Sequence, residues 1–180
     1  MKGFDPVLYT HRIYISPNCK PIKQSHHRIN PALRDIVKNE LQKLLNAGFI
    51  YPILDSQWVS PLVIVLKKGG KWCVFEDYGE LNLATKKDHF PLPFVDQVLD
   101  NLVGKKYFSF LDGFSGYNQI QIALEDQEKT TFTCPWGMFS YSVLPFGLCN
   151  APKTFQRAVF SIFSDISANC LEIYMDDFTT

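Results

Sequence analysis

Three aspartates stand at the ends of apolar segments, where a carboxylate is free to reach a ligand. Asp112 ends one such segment and precedes Gly113, whose missing side chain lets a ligand approach the backbone closely. Asp176 and Asp177 end another apolar segment, 64 residues after Asp112. Adjacent carboxylates repel each other unless a positive charge lies between them. If the two segments are neighbouring strands, the three carboxylates converge, and the pattern predicts a metal site.

The chemistry of such a site would be phosphoryl transfer. Mg²⁺ prefers hard oxygen ligands and keeps positions open for phosphates. Two ions roughly 3.5–4 Å apart can activate an attacking hydroxyl and stabilise the leaving oxygen. Taken singly, each motif has an ordinary explanation: an Asp-Gly pair is usually a turn, and an Asp-Asp pair near a terminus is usually a solvated end. No zinc site is predicted, because no CxxC motif occurs and His26-His27 has no partner at ligand spacing.

Helical and strand patterns are mixed along the chain. Asn30-Pro31 predicts the start of a helix with apolar residues at helical spacing, and Gly48 predicts its end. Further helices are predicted at 93–103 and 151–166. Strands are predicted at 58–66, 72–76, 107–112 (buried), 130–134, 139–144 and 170–175. Because strands and helices do not alternate regularly, the predicted fold class is α+β.

Composition limits the class of protein. Apolar residues make up 46% and aromatic residues 14%, which is enough for a folded core. The longest apolar runs, such as 59–66, are too short to cross a bilayer. The N-terminus lacks a signal pattern, so an intracellular protein without a membrane partner is expected. Five scattered cysteines predict free, mostly buried thiols in a reducing compartment.

Charge is distributed unevenly although the formal net charge is zero. Residues 1–75 hold 11 Lys and Arg against 4 Asp and Glu, whereas residues 76–180 hold 7 against 14. A basic N-terminal part can face phosphates, and an acidic C-terminal part can hold metal ions. In most soluble proteins such asymmetry only reflects solvated faces.

Longer motifs carry a resemblance to a known family. Residues 174–177 (YMDD) resemble the Tyr-x-Asp-Asp box of reverse transcriptases, and 110–122 (FLDGFSGYNQIQI) resemble the first catalytic motif of gypsy-type long-terminal-repeat retrotransposons. Residues 125–135 and 144–156 are similar to the next two segments, and 58–72 and 81–99 to the fingers. The similarity runs from about His11 to the end and is closest to plant members.

The resemblance implies a right-hand polymerase fold with fingers, an antiparallel palm sheet and packed helices, without a thumb. It implies an arm at 1–30, mainly fingers at 31–106 and palm at 107–180, together one reverse transcriptase domain. The implied activity is RNA-directed DNA polymerase of a retrotransposon polyprotein, with two Mg²⁺ ions, or Mn²⁺ in their place. The implied partners are an RNA/DNA template-primer and dNTPs, with thumb and ribonuclease H in the same polyprotein. The implied location is cytoplasmic, in the virus-like particle of the element.

Site residues follow from the resemblance position by position. It implies that Asp112, Asp176 and Asp177 are catalytic and bind both ions, helped by the carbonyl of Gly113. Tyr117 would lie under the sugar of the nucleotide and exclude a 2′-hydroxyl; its ordinary alternative is a core aromatic. Phe146 and Gly147 would shape the nucleotide pocket, and 150–156 would pack near the template. Lys67, Lys68 or Lys71 would reach the triphosphate, although a lysine-glycine turn is more often a plain hairpin tip.

Two departures from the family weaken the expectation of activity. Cys73 and Gly79 stand where the family has arginines, the first of which holds the triphosphate, and Glu76 stands at an apolar position. The chain ends three residues after Asp177, so we expect the returning strand to be missing and Asp177 to be poorly fixed. Three hypotheses remain: an active polymerase core, an inactive remnant that at most binds nucleic acid through its basic arm, or an unrelated α+β domain.

Overall fold

The computed structural model describes residues 3–113, 115–167 and 171–180. Ten strands are present in these ranges: β1 Thr10–His11, β2 Ile50–Pro52, β3 Ser60–Leu66, β4 Trp72–Glu76, β5 Phe110–Asp112, β6 Gln121–Ile122, β7 Phe132–Cys134, β8 Gly137–Tyr141, β9 Glu172–Tyr174 and β10 Asp177–Thr179. Six α-helices accompany them: α1 Arg34–Asn46, α2 Gly79–Ala84, α3 Val95–Leu102, α4 Leu124–Gln127, α5 Ala151–Ile162 and α6 Ser164–Ser167. Three 3₁₀ turns lie at Pro31–Leu33, Tyr117–Gln119 and Glu128–Thr130. The α+β class predicted from the sequence is confirmed.

The first helix forms for the local reasons that predicted it. The Asn30 side chain accepts a hydrogen bond from the Ala32 N–H, and Pro31 opens the 3₁₀ turn that leads into α1. Val37 and Leu41 bury one face of the helix. Gly48 follows with φ 71°, a conformation that glycine adopts without strain.

A five-stranded sheet of order β2-β8-β7-β3-β4 forms the first layer. β3 and β4 make the predicted hairpin, with Leu66 opposite Trp72. β7 pairs in parallel with β3, so this sheet takes strands from both the predicted fingers segment and the predicted palm segment. One face of the sheet packs on α1 in a cluster of buried residues: Ile29, Val37, Leu41, Ile50, Leu62, Ile122, Phe132, Cys134, Phe139 and Tyr141.

A second, three-stranded antiparallel sheet has the order β5-β10-β9. Helix α5 packs against it in the larger core cluster, which includes Phe155, Val159, Leu171 and Ile173. The extended N-terminal segment contributes Ile13 to the same cluster and pairs through β1 with β6. The core therefore joins the arm, α5 and the small sheet into one body.

Two predictions about the small sheet are wrong. The strand predicted at 107–112 as buried is only three residues long, and Phe110 and Leu111 are 76% and 56% exposed. β5 is an edge strand, and its apolar side chains remain exposed although the composition of the segment predicted burial. The returning strand expected to be missing is present as β10, which pairs with β5 on one side and β9 on the other. Asp177 is thus fixed by two neighbours rather than left loose.

The remaining predictions differ mainly at their boundaries. The helix predicted to reach 166 ends at Ile162, because Phe163 leaves helical geometry before the short α6 begins. Helix α3 exists, but none of its residues is fully buried. The described cysteines are free thiols, yet only Cys134 is buried, so the expectation of mostly buried thiols is wrong. Cys170 lies outside the described residues. Among the described helices, none has the length and apolar character needed to span a bilayer.

Candidate active site

The small sheet brings the three aspartates to one edge. Asp112 at the end of β5 is the direct cross-strand partner of Asp177 at the start of β10. Directly opposed residues on antiparallel strands point to the same face and have Cα atoms about 4.5–5.5 Å apart. The Gly113 N–H donates to the Asp176 carbonyl over 2.7 Å, which places the third aspartate beside the first two. A Cβ on Gly113 would lie 3.2 Å from that carbonyl oxygen, so only glycine fits without displacement.

The donor set suits a hard divalent cation. Asp112 and Asp177 are exposed, Asp176 is half-buried, and all three supply carboxylate oxygens. Within the described ranges, no group of three or more His, Cys, Asp and Glu side chains is gathered tightly enough to hold a metal ion. The backbone pairing of Asp112 with Asp177 and the hydrogen bond from Gly113 to Asp176 bring the three aspartates to one edge of the sheet.

Tyr117 connects the aspartates to the rest of the candidate nucleotide pocket. Its ring is buried, and its centroid lies 4.8 Å from that of Phe146 and 5.2 Å from that of Phe155. Burial raises the pKa of Tyr117 to about 12, and the negative charge of Asp176 adds to the effect. The phenol thus stays neutral. Tyr117 and Phe146 come together as the resemblance implies, with Phe155 as a support that the sequence did not single out.

Lysines of the β3–β4 turn lie on a different cavity from the aspartates. A cavity of about 350 Å³ between this hairpin, α1 and the segment that holds Phe146 is lined by Lys67, Lys71, Cys73 and Phe146, among others. The Lys67 ammonium lies 5.5 Å from the centre of the Phe75 ring. Lys68 is exposed and does not line the cavity. The structure therefore brings Lys67 and Phe146 together and leaves Lys68 outside.

An asparagine holds the loop that carries Gly147. The Asn82 Nδ2 donates to the Gly147 carbonyl over 2.7 Å, and its Oδ1 accepts from the Cys149 N–H over 2.8 Å. Gly147 has φ 95°, and a Cβ there would contact Tyr78 at 3.5 Å. The sequence signal for Asn82 was a polar residue within the motif at 81–99. Spacing alone does not show which backbone groups its side chain binds.

Gln156 ends the segment 150–156 that the resemblance places near the template, but its contact with the aspartate hairpin was not predicted. It lies on α5 with no exposed surface, and its side chain bonds to the backbone of the hairpin that carries Asp176 and Asp177. The signal in the sequence was the motif segment that ends at Gln156, but a motif does not show which backbone groups a side chain binds.

Glu76 occupies an unfavourable environment beside the hairpin cavity. Its Oε1 accepts a hydrogen bond of 2.9 Å from the Tyr141 hydroxyl. Burial raises the pKa of Glu76 from 4.5 to about 7, and the bond from Tyr141 only partly offsets this. The carboxyl is therefore close to half-protonated at neutral pH.

Comparisons with known proteins agree with this architecture. The model of the reverse transcriptase (RNA-dependent DNA polymerase) family matches residues 65–180. The Pol polyprotein of transposon 412 from Drosophila melanogaster is 34% identical over 176 residues, which are 94% of this chain and 14% of the relative. That of transposon gypsy, from the same organism, is 39% identical over 150 residues, 79% of this chain and 14% of the relative.

A foamy viral protease-reverse transcriptase, solved in complex with an RNA/DNA hybrid, superposes with a TM-score of 0.83. It is 25% identical over 94% of this chain and 22% of that chain. The chain thus spans only a small part of the relatives that it matches. The family match, together with the proximity of Asp112 and Asp176, rules out the unrelated α+β domain. The chain belongs to the reverse transcriptase (RNA-dependent DNA polymerase) family, as a fingers and palm fragment of the gypsy-type long-terminal-repeat retrotransposon class.

Proposed function

We propose that this chain carries the nucleotide-adding centre of an RNA-directed DNA polymerase. The observation that carries the proposal is the cross-strand pairing of Asp112 with Asp177, with Asp176 tied to Gly113 beside them. These three carboxylates would hold two Mg²⁺ ions, or Mn²⁺. Bound there, the ions would supply activation of the primer 3′-hydroxyl and stabilisation of the leaving pyrophosphate.

The residues of the chain position the reactants. The buried ring of Tyr117, backed by Phe155, would lie under the nucleotide sugar and leave no room for a 2′-hydroxyl. Phe146 would line the pocket beside it, and Lys67 on the shared cavity would neutralise phosphate charge. Such a centre works mostly by holding reactants in line and by compensating charge.

A basic cavity supports a nucleic-acid partner. Arg12, Lys86, Lys87, His89 and Arg157 line a cavity of about 520 Å³ on the side of α5, together with Asp88, which pairs with Arg157 over 2.7 Å. Arg12 pairs with Glu125, so Lys86 and Lys87 are the cations that the cavity offers to phosphates. Lysine and arginine side chains in such a groove bind phosphates without regard to sequence. Because base pairing selects the nucleotide, backbone contacts are sufficient for a template-primer. The complex of the foamy viral relative with an RNA/DNA hybrid supports the same partner here.

An inactive remnant is the second candidate function, and Cys73 favours it. Its thiol lines the hairpin cavity at the position where the family has the triphosphate-binding arginine. A charge-assisted hydrogen bond of this kind contributes about 1.5–3 kcal/mol. In this reading the chain binds template-primer but adds nucleotides too slowly to detect.

Primer extension separates the two functions. The chain is incubated with poly(rA)/oligo(dT), dTTP and Mg²⁺ or Mn²⁺, and compared with an Asp176→Ala, Asp177→Ala variant. The matched control removes two exposed carboxylates that lie on helices α1 and α6 and not on the small sheet, Asp35→Ala and Asp165→Ala. Hybrid binding is measured in parallel by fluorescence anisotropy.

Extension that disappears in the aspartate variant and persists in the control supports the polymerase. Hybrid binding without extension, with extension restored by Cys73→Arg, identifies the remnant. Extension that survives loss of both aspartates would refute the assigned site.

A further inference from the structure

The β9–β10 hairpin carries two of the three aspartates, and β9 is an edge strand of its sheet. Outward N–H and C=O groups of an edge strand have no ladder partner. On an antiparallel strand these groups recur at every second residue. Ile173 is the middle residue of β9, and Met175 lies two residues further on, in the turn that follows the strand, with φ 55°. Without a partner, their backbone groups would be left unsatisfied next to a packed core.

Gln156 supplies both missing bonds with one side chain. Its Nε2 donates to the Ile173 carbonyl over 3.1 Å, and its Oε1 accepts from the Met175 N–H over 2.5 Å. A primary amide has the same donor and acceptor as a peptide group. Gln156 therefore occupies the place that the N–H and C=O of one residue of a fourth strand would take. Since the side chain has no exposed surface, water has no route to replace it.

The same helix also supports the sugar-selecting position. Phe155, the preceding residue of α5, packs against the Tyr117 ring and lies so close to Gly116 that a Cβ there would come within 2.8 Å of its Cζ. Two neighbouring residues of α5 thus contact the two parts of the site: Phe155 contacts Tyr117, and Gln156 contacts the hairpin that carries Asp176 and Asp177. The position of the hairpin relative to Tyr117 is set through α5.

We propose that Gln156 is a positioning residue, which acts as a one-residue strand to hold the Asp176-Asp177 turn in register with α5 and Tyr117. This inference rests on the proposed function in assigning the turn a metal-binding role. The hydrogen-bond clamp itself can be tested without that role.

The first test needs no substitution. In the uniformly labelled chain, a long-range HNCO experiment detects scalar coupling from the Met175 amide nitrogen to the Gln156 side-chain carbonyl carbon. A cross-peak supports the clamp, and its absence in an otherwise assigned spectrum overturns it.

The second test compares Gln156→Leu with Gln127→Leu. Gln127 is a matched control, because it is also buried and its Nε2 also donates to a backbone carbonyl, that of Ile122, over 3.1 Å. We expect Gln156→Leu to lower amide-exchange protection at Met175 by about tenfold to a hundredfold, the effect of removing one or two hydrogen bonds. We expect Mn²⁺ affinity to fall by about tenfold, as it does when groups that orient metal ligands are removed. The control should change neither quantity.

The variant Gln156→Glu tests the role of the donor. At low pH the introduced side chain is a neutral acid, which can donate to the Ile173 carbonyl and accept from the Met175 N–H. At high pH it is a carboxylate, which can only accept. The carboxylate repels the Ile173 carbonyl and so weakens the hold on the hairpin, and Met175 protection in Gln156→Glu should therefore increase as the pH falls, relative to Gln156→Leu at each pH.

Unchanged Met175 protection and Mn²⁺ affinity in folded Gln156→Leu would overturn the inference. If Asp176→Ala, Asp177→Ala leaves Mn²⁺ binding intact, the metal site of the proposed function fails instead. The scalar coupling and the exchange data then still decide whether Gln156 holds the turn.

Discussion

Replacing Glu76 by glutamine is expected to make the fold more stable at alkaline pH and to leave it unchanged at acidic pH. Glutamine keeps an oxygen that accepts the hydrogen bond from Tyr141 and removes the titrating proton. Glu76 is half-buried and lies on β4 opposite the buried Leu62, so its charge is only partly solvated. The substitution therefore measures how much the half-buried negative charge of Glu76 lowers the free energy of unfolding.

The magnitude follows from the pKa of Glu76, which burial raises from 4.5 to about 7. A folded-state value above the unfolded one means that the folded chain binds the proton more tightly. This contribution is fully present below pH 4.5 and is lost as the pH rises through 7. Its full loss corresponds to about 3 kcal/mol of unfolding free energy, an upper bound because water can penetrate near the ionised group.

Urea denaturation at pH 5, 6, 7 and 8, followed by the fluorescence of buried Trp58, measures the effect. The wild-type and Glu76→Gln curves should differ by less than about 1 kcal/mol at pH 5 and diverge by up to about 3 kcal/mol at pH 8. Glu128→Gln, at an exposed position, is the control. If the unfolding free energies of wild type and Glu76→Gln change with pH in parallel, the reasoning is refuted, even if the two proteins differ in stability by a constant amount.

Three further predictions concern other parts of the molecule. Burial lowers the pKa of His11 from 6.5 to about 4, so up to about 3 kcal/mol of stability should be lost as the pH falls through this range, and His11→Gln should flatten that loss in urea titrations at pH 4.5 and 7.5. Phe155→Ala should cost about 3–5 kcal/mol in the same assay, whereas Phe110→Ala, at an exposed edge, should stay within about 0.5 kcal/mol; equal costs would contradict the assignment of the core. Cys73→Arg should lower the KM for dTTP by about tenfold to a hundredfold if the cavity receives the triphosphate, and an unchanged KM would exclude that contact.

The sequence by itself determined the features whose causes are local. The start of α1 depends on the Asn30 cap and Pro31, and its end depends on Gly48, all of which act within one turn of the chain. The β3–β4 hairpin likewise follows from two apolar runs around a glycine turn. The aspartates were recognised from motifs that keep their order and spacing along the chain.

Tertiary structure decided what depends on distant partners. Three residues are too few to show a strand pattern, so β10 became visible only through its pairing with both β5 and β9. The apolar run before Asp112 predicted burial, yet an edge strand is buried only where another element covers it. Motif similarity placed Gln156 only within the segment 150–156, because its role depends on backbone groups 17 and 19 residues away. Hydrogen bonds between residues close in the chain, and the periodicity of apolar residues, can be deduced from the sequence. Burial and the pairing of polar groups cannot, because they depend on residues that are brought together only in the folded chain.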